Sequence, residues 1–161
     1  MKRDKRLYPL SWEHHEVLLF ADRIKMALIS EHPQYRHSLT DLLERTHRFW
    51  NGIFSNHMSA ECEILFLYLK KYKELHVDIQ MMETEFKNCL DLYSEISNDL
   101  IDENIVKKRL VQLAGLLIHH VRYEEQELFR KLQILVPKEE FDVLGTELQL
   151  KLPRVCRSSG F

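Results

Sequence analysis

The sequence predicts an all-α protein, an up-down-up-down four-helix bundle with a short extra helix at its C-terminal end. Glycine and proline, which interrupt helices, number only four each among the 161 residues. Apolar residues recur every three or four positions through long segments, and no segment alternates apolar and polar residues as a half-buried strand does. The connections are short, which favours antiparallel neighbours. We interpret residues 1–161 as one domain, because this length suits a single domain and no linker interrupts it.

Five helices follow from the apolar periodicity and from residues that begin or end helices. Their predicted ranges are residues 11–30 (α1), 38–72 (α2), 74–98 (α3), 102–136 (α4) and 138–150 (α5). Ser11 is a suitable N-cap for α1, and Pro33 prevents continuation of that helix. Asp41 suits the first turn of α2 because it complements the helix dipole. Asn51 and Gly52 lie within α2 and favour a local kink, although the apolar period continues across them.

The composition argues against several classes of partner. The chain has 23 basic and 25 acidic residues and a net charge of −2, which indicates no basic surface for nucleic acid or an anionic membrane. Its N-terminus is too polar for a signal-peptide core, and no apolar run reaches the roughly 18 residues of a membrane span. Three cysteines without CxxC spacing suit a reducing compartment. We expect a cytoplasmic monomer or homodimer that binds neither nucleic acid nor membrane.

Two His-x-x-x-Glu pairs interrupt the apolar faces of predicted helices. His57 and Glu61 lie on α2, and His120 and Glu124 lie on α4. Four residues are about one helical turn, so the two members of each pair share a face. At about 100° per residue, each pair falls on the apolar stripe of its helix. Because buried glutamate almost always has a partner, the two pairs together indicate a cation between the helices.

Helix α1 offers two adjacent histidines, and the helical angle distinguishes them. His14 lies close to the apolar face that includes Val17 and Ala21, whereas His15 lies about 160° from Val17. We select His14 as the third core-facing imidazole and keep His15 as the alternate. Each histidine alone is also compatible with an ordinary hydrogen-bonded core residue. Imidazole together with carboxylate suits iron, manganese or zinc. The candidate metal ligands are His14, His57, Glu61, His120 and Glu124.

Three motifs around these candidates resemble the hemerythrin-like, or HHE cation-binding, family over about residues 8–150. The stretch His-Val-Arg-Tyr-Glu-Glu-Gln-Glu-Leu-Phe at 120–129 is similar to the most diagnostic segment of the family. The His-x-x-x-Glu of α2 followed by Ile-Leu is similar to its second motif, and Leu-Ser-Trp-Glu-His-His-Glu-Val-Leu at 10–18 to its first. The resemblance implies a pair of non-haem irons inside a four-helix bundle.

The resemblance also implies a role for each candidate ligand. His14 and His57 would hold one iron, and His120 would help to hold the other. Glu61 and Glu124 would bridge the two ions. The implied cofactor is therefore iron, as one or two ions, with manganese or zinc as alternatives.

Helix α3 departs from the family pattern at one position. The family carries a histidine there, usually after a glutamate, and this chain has Phe86 after Glu85. The positions within about 40° of Phe86 are apolar, so we expect α3 to be a plain apolar wall with Glu83 and Glu85 angled away. We therefore expect one well-held ion at the four ligands other than His120. A second ion would be weak or absent.

The function implied by the resemblance is binding, sensing or detoxification of dioxygen, nitric oxide or peroxide at iron. No nucleophile or general base indicates an organic substrate, so we interpret the chain as a metal-binding protein rather than an enzyme of that kind. Two alternatives stay open: a metal-deficient bundle that acts as a partner-binding module, and a pocket near Phe86 for a small apolar ligand. The Glu-x-x-His pattern of ferritin-like di-iron proteins and the His-Glu-x-x-His of zinc proteases do not fit.

Three neighbours of the candidate ligands have an ordinary interpretation and a functional one. Cys62 follows Glu61 and is either a packing residue or a sensor of oxidants. Tyr123 precedes Glu124 and either flanks the site or hydrogen-bonds a group next to it. His119 lies about 100° from His120, so we expect it to be peripheral.

Overall fold

The computed structural model describes residues 3–30, 33–35, 37–97 and 102–153, and these residues form helices and turns without any strand. The all-helical prediction is confirmed, with four long helices and a shorter fifth. Helix α1 is Tyr8–Ile29, α3 is His76–Ile96 and α5 is Lys138–Lys151. The other two consist of consecutive helical segments: Leu39–Phe49, Trp50–Phe54, Ser55–Ala60, Glu61–Phe66 and Leu67–Leu69 in α2, and Glu103–Tyr123, Glu124–Leu128 and Phe129–Leu135 in α4.

The start of α1 lies three residues before the predicted N-cap. Pro9 occupies the first turn, where its missing N–H costs no hydrogen bond. Ser11 donates its hydroxyl to the carbonyl of Leu7 at 3.2 Å and does not cap the helix. The start of α2 is as predicted, because the Ser38 hydroxyl accepts from the backbone N–H of Asp41 at 3.1 Å.

The connection between α2 and α3 is longer than predicted. Helix α2 ends at Leu69, three residues before the predicted end, and a 3-10 turn at Lys73–Leu75 precedes α3. The ring of His76 donates its Nε2–H to the carbonyl of Lys70 at 2.6 Å. This hydrogen bond joins the start of α3 to the residue that follows α2. The predicted end of α3 at residue 98 lies outside the described residues.

Three wider turns with π-helical hydrogen bonds interrupt α2 and α4. One of them, Trp50–Phe54, includes Gly52, where the sequence predicted a kink. The other two, Glu61–Phe66 and Glu124–Leu128, each begin at the glutamate of a His-x-x-x-Glu pair. Turns of this kind are found mostly as single interruptions of α-helices, frequently at functional sites. The backbone therefore departs from regular helix at both candidate carboxylates.

Helix α4 forms the most extensive helix pairs among the described residues. Both α1 and α3 pack along it, and α5 packs on the N-terminal turn Lys5–Leu7 and on the Glu61–Phe66 segment of α2. The inner faces are apolar, and leucine and phenylalanine side chains with almost no exposed surface fill the space between them. Eight polar or charged side chains of the described residues are nevertheless buried, and five of them are the candidate metal ligands.

No helix among the described residues combines the length and the apolar character that crossing a membrane requires.

Gly145 is a position where the packing of α5 excludes any side chain. A Cβ at Gly145 would lie 2.7 Å from Cβ and 2.8 Å from Cγ of Arg6, whose guanidinium is fixed 4.1 Å above the Phe141 ring. We expect Gly145→Ala to lower the free energy of unfolding by about 1 kcal/mol, because overpacking of about 1–3 kcal/mol outweighs the better helix propensity of alanine. Urea denaturation measures this change.

Gly115 on α4 provides the matched control for this substitution. A Cβ there would meet no atom within 4 Å. Gly115→Ala is therefore expected to raise the free energy of unfolding by up to about 1 kcal/mol through helix propensity alone. Equal unfolding free energies for the two variants would contradict the packing of α5 against Arg6.

Candidate metal centre

Four of the five predicted ligands form one buried cluster. Ligand atoms of His14, His57, Glu61 and Glu124 all lie within 4.8 Å of one another. Three helices supply them, because His14 lies on α1, His57 and Glu61 on α2, and Glu124 on α4. None of the four side chains is more than 2% exposed. These four residues are named the central cluster below.

Glu61 occupies the middle of the central cluster. Its Oε1 lies 2.8 Å from Nε2 of His57 and 3.5 Å from Nε2 of His14. The same nitrogen of His14 is 2.9 Å from Oε2 of Glu124. Two imidazole nitrogens and two carboxylates thus surround one small volume.

Several atoms of the central cluster are close together but poorly aligned for hydrogen bonds. Nε2 of His14, both ring nitrogens of His57, Oε1 of Glu61 and both Glu124 oxygens are buried and make no well-formed hydrogen bond. A buried polar group without a partner costs about 1–3 kcal/mol, and more when it is charged. A divalent cation among these atoms would satisfy most of them at once. Nitrogen and carboxylate ligands in this number fit iron, manganese or zinc.

His120, the fifth predicted ligand, lies beside the central cluster. Its Nε2 is 3.1 Å from Oε2 of Glu61, whereas His14 and His57 approach Oε1 of the same carboxylate. Glu61 therefore presents one oxygen to the central cluster and the other to His120. The ring of Phe86 lies against the His120 ring, with 4.4 Å between the centroids. A second cation beside His120 would find fewer ligands than one in the central cluster, since Phe86 provides none.

The choice between His14 and His15 agrees with the helical angles. His14 is 2% exposed and belongs to the central cluster, whereas His15 is exposed to solvent. The side chain of His119 is 60% exposed, so its predicted position at the edge of the site is also confirmed.

Two imidazoles of the central cluster meet a second carboxylate on their outer side. Nδ1 of His14 donates to Oε1 of Glu125 at 2.6 Å. Nδ1 of His57 lies 3.5 Å from Oε2 of Glu13. The hydrogen bond to Glu125 fixes the orientation of the His14 imidazole and leaves its Nε2 available to a cation, whereas Glu13 only lies near His57.

Helix α3 contributes a third outer carboxylate, which corrects the prediction that it is a plain apolar wall. Glu85 is only 8% exposed, and its Oε2 accepts from Nδ1 of His120 at 3.2 Å. The prediction that Glu85 angles away from the site is therefore wrong. Its long side chain turns back from the edge of the α3 stripe to reach the imidazole on α4. Glu83, which was also predicted to angle away, pairs with Lys70 at the surface.

The surroundings shift the acid–base properties of the buried histidines in opposite directions. Burial lowers the pKa of His14 to about 4. Burial opposes the charge on His57 and His120 as well, but nearby carboxylates, with Glu61 foremost, outweigh it and raise these pKa values to about 10 and about 9. Protons on these two imidazoles therefore compensate the negative charge when no cation is bound.

The two carboxylates of the central cluster also differ in charge. Burial disfavours the charged form of Glu61, but the positive charge of His57 outweighs it and holds the pKa of Glu61 well below its usual range. Burial and the negative charge of Glu61 raise the pKa of Glu124 well above its usual range. The charged form is therefore favoured at Glu61 and the neutral form at Glu124. A metal ion entering the cluster would displace protons from His57 and Glu124.

Tyr123 and Cys62, the remaining candidates near the site, are explained without a role at the cation. Tyr123 has a structural partner, and the Cys62 thiol is unreactive. The hydroxyl of Tyr123 donates to the buried carboxylate of Asp78, which also accepts from Lys131 Nζ at 2.7 Å. This group lies outside the central cluster. Burial raises the pKa of the Cys62 thiol to about 11, so the thiolate that reacts with oxidants is disfavoured.

Comparisons with known proteins assign no family, since no family model, no curated protein and no solved structure matches the chain. The resemblance to hemerythrin-like proteins therefore stays a prediction from the three sequence motifs. The geometry of the central cluster is an independent observation on which a function can be proposed.

Proposed function

We propose that this chain is a hemerythrin-like, up-down-up-down four-helix bundle that binds non-haem iron and interacts with dioxygen, nitric oxide or peroxide. The observation that carries the proposal is the burial of two imidazoles and two carboxylates with ligand atoms within 4.8 Å of one another. The resemblance of the three sequence motifs is the reason for proposing iron as the metal and dioxygen, nitric oxide or peroxide as the ligand. Manganese and zinc suit the same donor atoms.

Some side chains would bind the cation, and others would orient the imidazoles that bind it. Nε2 of His14 and His57 and the carboxylates of Glu61 and Glu124 would bind the first ion. His120, with the second oxygen of Glu61, would bind a weaker second ion. Bound iron would supply the redox chemistry and a position for a small ligand. The outer carboxylates keep the imidazole rings turned toward the cations.

Aromatic rings enclose the site on the sides that face the core. Each buried imidazole packs against a phenylalanine ring that is at most 3% exposed. The pairs and their centroid distances are His14 with Phe129 at 5.7 Å, His57 with Phe54 at 6.1 Å, and His120 with Phe86 at 4.4 Å. These rings exclude water and leave little room for a large organic substrate. They favour a diatomic molecule or peroxide as the reacting partner.

Metal analysis of the purified protein tests this proposal. We expect about one tightly bound ion per chain, and in iron-loaded protein exposed to air we expect charge-transfer absorption in the near ultraviolet. An ion at a free concentration of 100 times its Kd should stabilise the fold by about 2.7 kcal/mol, which raises the Tm by roughly 5–10 °C. Thermal unfolding with added Fe²⁺, Mn²⁺ or Zn²⁺ measures this shift.

The opposite result would favour the metal-deficient alternative. Protein that retains no ion after reconstitution, and whose Tm does not respond to any of the three ions, would rule out the metal site. The chain would then act as a helical module through contacts with a partner or a second copy.

A further inference from the structure

We propose that Glu85 is the positioning residue for His120, and that this is the contribution of α3 to the metal centre. The inference rests on the proposed function, because it assigns His120 a role toward a cation. Glu85 itself would not bind the ion. It would hold the outer nitrogen of the His120 ring so that the inner nitrogen faces Glu61.

The geometry fixes the carboxylate of Glu85 at both of its oxygens. Oε2 accepts from Nδ1 of His120 at 3.2 Å, and Oε1 accepts from Nδ1 of His119 at 2.6 Å. His119 and His120 are consecutive residues of α4, whereas Glu85 lies on α3. One carboxylate thus accepts hydrogen bonds from two consecutive histidines of another helix. With both oxygens occupied, it cannot rotate freely away from His120.

The other side of the His120 ring shows what this positioning achieves. Nε2 lies 3.1 Å from Oε2 of Glu61. The His120 ring therefore connects Glu85 on one side with the central cluster on the other. Because Nδ1 donates to Glu85, Nε2 is the nitrogen that can bind a cation. The ring of Phe86 lies against His120 and restricts the tilt of the imidazole. The histidine expected on α3 is missing, and the adjacent glutamate supports the imidazole of α4 instead.

The exposure of the two imidazoles separates their roles. His120 is 1% exposed and lies 3.1 Å from Glu61, whereas the side chain of His119 is 60% exposed. His119 is therefore an anchor for Glu85 at the surface, where its ring also stacks on that of Tyr123 with 6.4 Å between the centroids. Its removal should weaken the positioning of Glu85 without removing it.

Proton NMR of the imidazole N–H groups tests the contact directly, with or without metal. We expect wild-type protein to show a downfield, slowly exchanging Nδ1–H signal for His120, assigned by its loss in His120→Ala. The signal should disappear in Glu85→Ala and persist at a shifted position in Glu85→Gln, because the amide oxygen still accepts. The Nδ1–H signal of His14, which donates to Glu125, is the internal control for correct folding.

Zinc titration by calorimetry tests the consequence for the cation. We expect Glu85→Ala to weaken the affinity of the ion that depends on His120 by 10- to 100-fold, with partial recovery in Glu85→Gln. His119→Ala should change it by less than about threefold. Glu83→Ala is the matched control, because Glu83 lies on the same helix but pairs with Lys70 at the surface, 2.8 Å away.

The outcomes separate this inference from the proposed function. Wild-type protein that binds no zinc would refute the metal site, whereas the NMR comparison would still decide whether Glu85 holds His120. A His120 Nδ1–H signal that is absent from wild type, or unchanged in Glu85→Ala, would overturn the positioning role. If wild type binds the zinc ion that depends on His120, equal affinities for that ion in Glu85→Ala and Glu83→Ala would overturn it too.

Discussion

Glu61→Gln is expected to abolish tight metal binding. Glu61 contacts His14 and His57 with one oxygen and His120 with the other, so both proposed ion positions would lose a negative ligand together. We expect the affinity for Zn²⁺ or Fe²⁺ to fall by at least about 100-fold, which corresponds to about 2.7 kcal/mol. Calorimetric titration and metal content after dialysis measure the change.

The matched control for this substitution lies on the same turn of α2. Glu63 belongs to the Glu61–Phe66 segment, but its side chain is 65% exposed and pairs with Lys151 at 3.2 Å. Glu63→Gln should bind metal like wild type. Because glutamine keeps the shape of Glu61, circular dichroism of both variants should match wild type. Wild-type affinity in Glu61→Gln would mean that the central cluster does not bind the ion.

The long helices could be predicted from the sequence because apolar periodicity persists through each of them. The errors lie at the ends and interruptions of the helices, where a single residue or a tertiary contact determines whether the regular helix continues. The proline in the first turn moves the start of α1 to Tyr8. The π-helical turns at Glu61 and Glu124 depend on the packing of neighbouring helices, and one sequence contains no periodic signal for them. Only the turn around Gly52 coincides with a local cue.

The inner ligands could be predicted because a helix fixes the angle at which each side chain leaves it. His14 and His57 lie on apolar stripes, so the same stripes that bury the helices also bring these imidazoles together. The three outer glutamates could not be found in this way. Glu13 and Glu125 are next to ligands in the chain and therefore about 100° away from them in angle. They reach an imidazole on another helix only because of how the helices are rotated against each other, which periodicity does not specify.

The position of Glu85 was predicted wrongly for a different reason, the reach of its side chain. The apolar neighbours of Phe86 predicted that α3 faces the core, and the burial of Phe86 and Met82 agrees with this. An angular argument places Glu85 outside that face, yet its three rotatable bonds allow the carboxylate to reach His120. A helical angle therefore shows that a glutamate on the apolar stripe is buried, but it does not show that a glutamate beside the stripe stays out of the core.

Phe86→His is expected to increase the occupancy of the second ion, because it places an imidazole beside His120. The two rings are already in contact, with centroids 4.4 Å apart, and Glu61 presents an oxygen to the same region. We expect the metal content after dialysis to rise from about one ion per chain toward two. The metal-free variant should be less stable than wild type by about 1–3 kcal/mol, since a polar ring replaces an apolar one in the core. Added metal should recover that loss.

Phe86→Leu separates the new ligand from the loss of the phenyl ring. Leucine removes aromatic packing against His120 and Phe54 but adds no donor atom. It should be destabilised without gaining a second ion, whereas the histidine variant should gain one. If both variants retain the wild-type metal content, the side chain at position 86 does not reach the cation. The missing histidine of α3 would then not explain the weak second position, and the comparison of α3 with the family motif would be wrong.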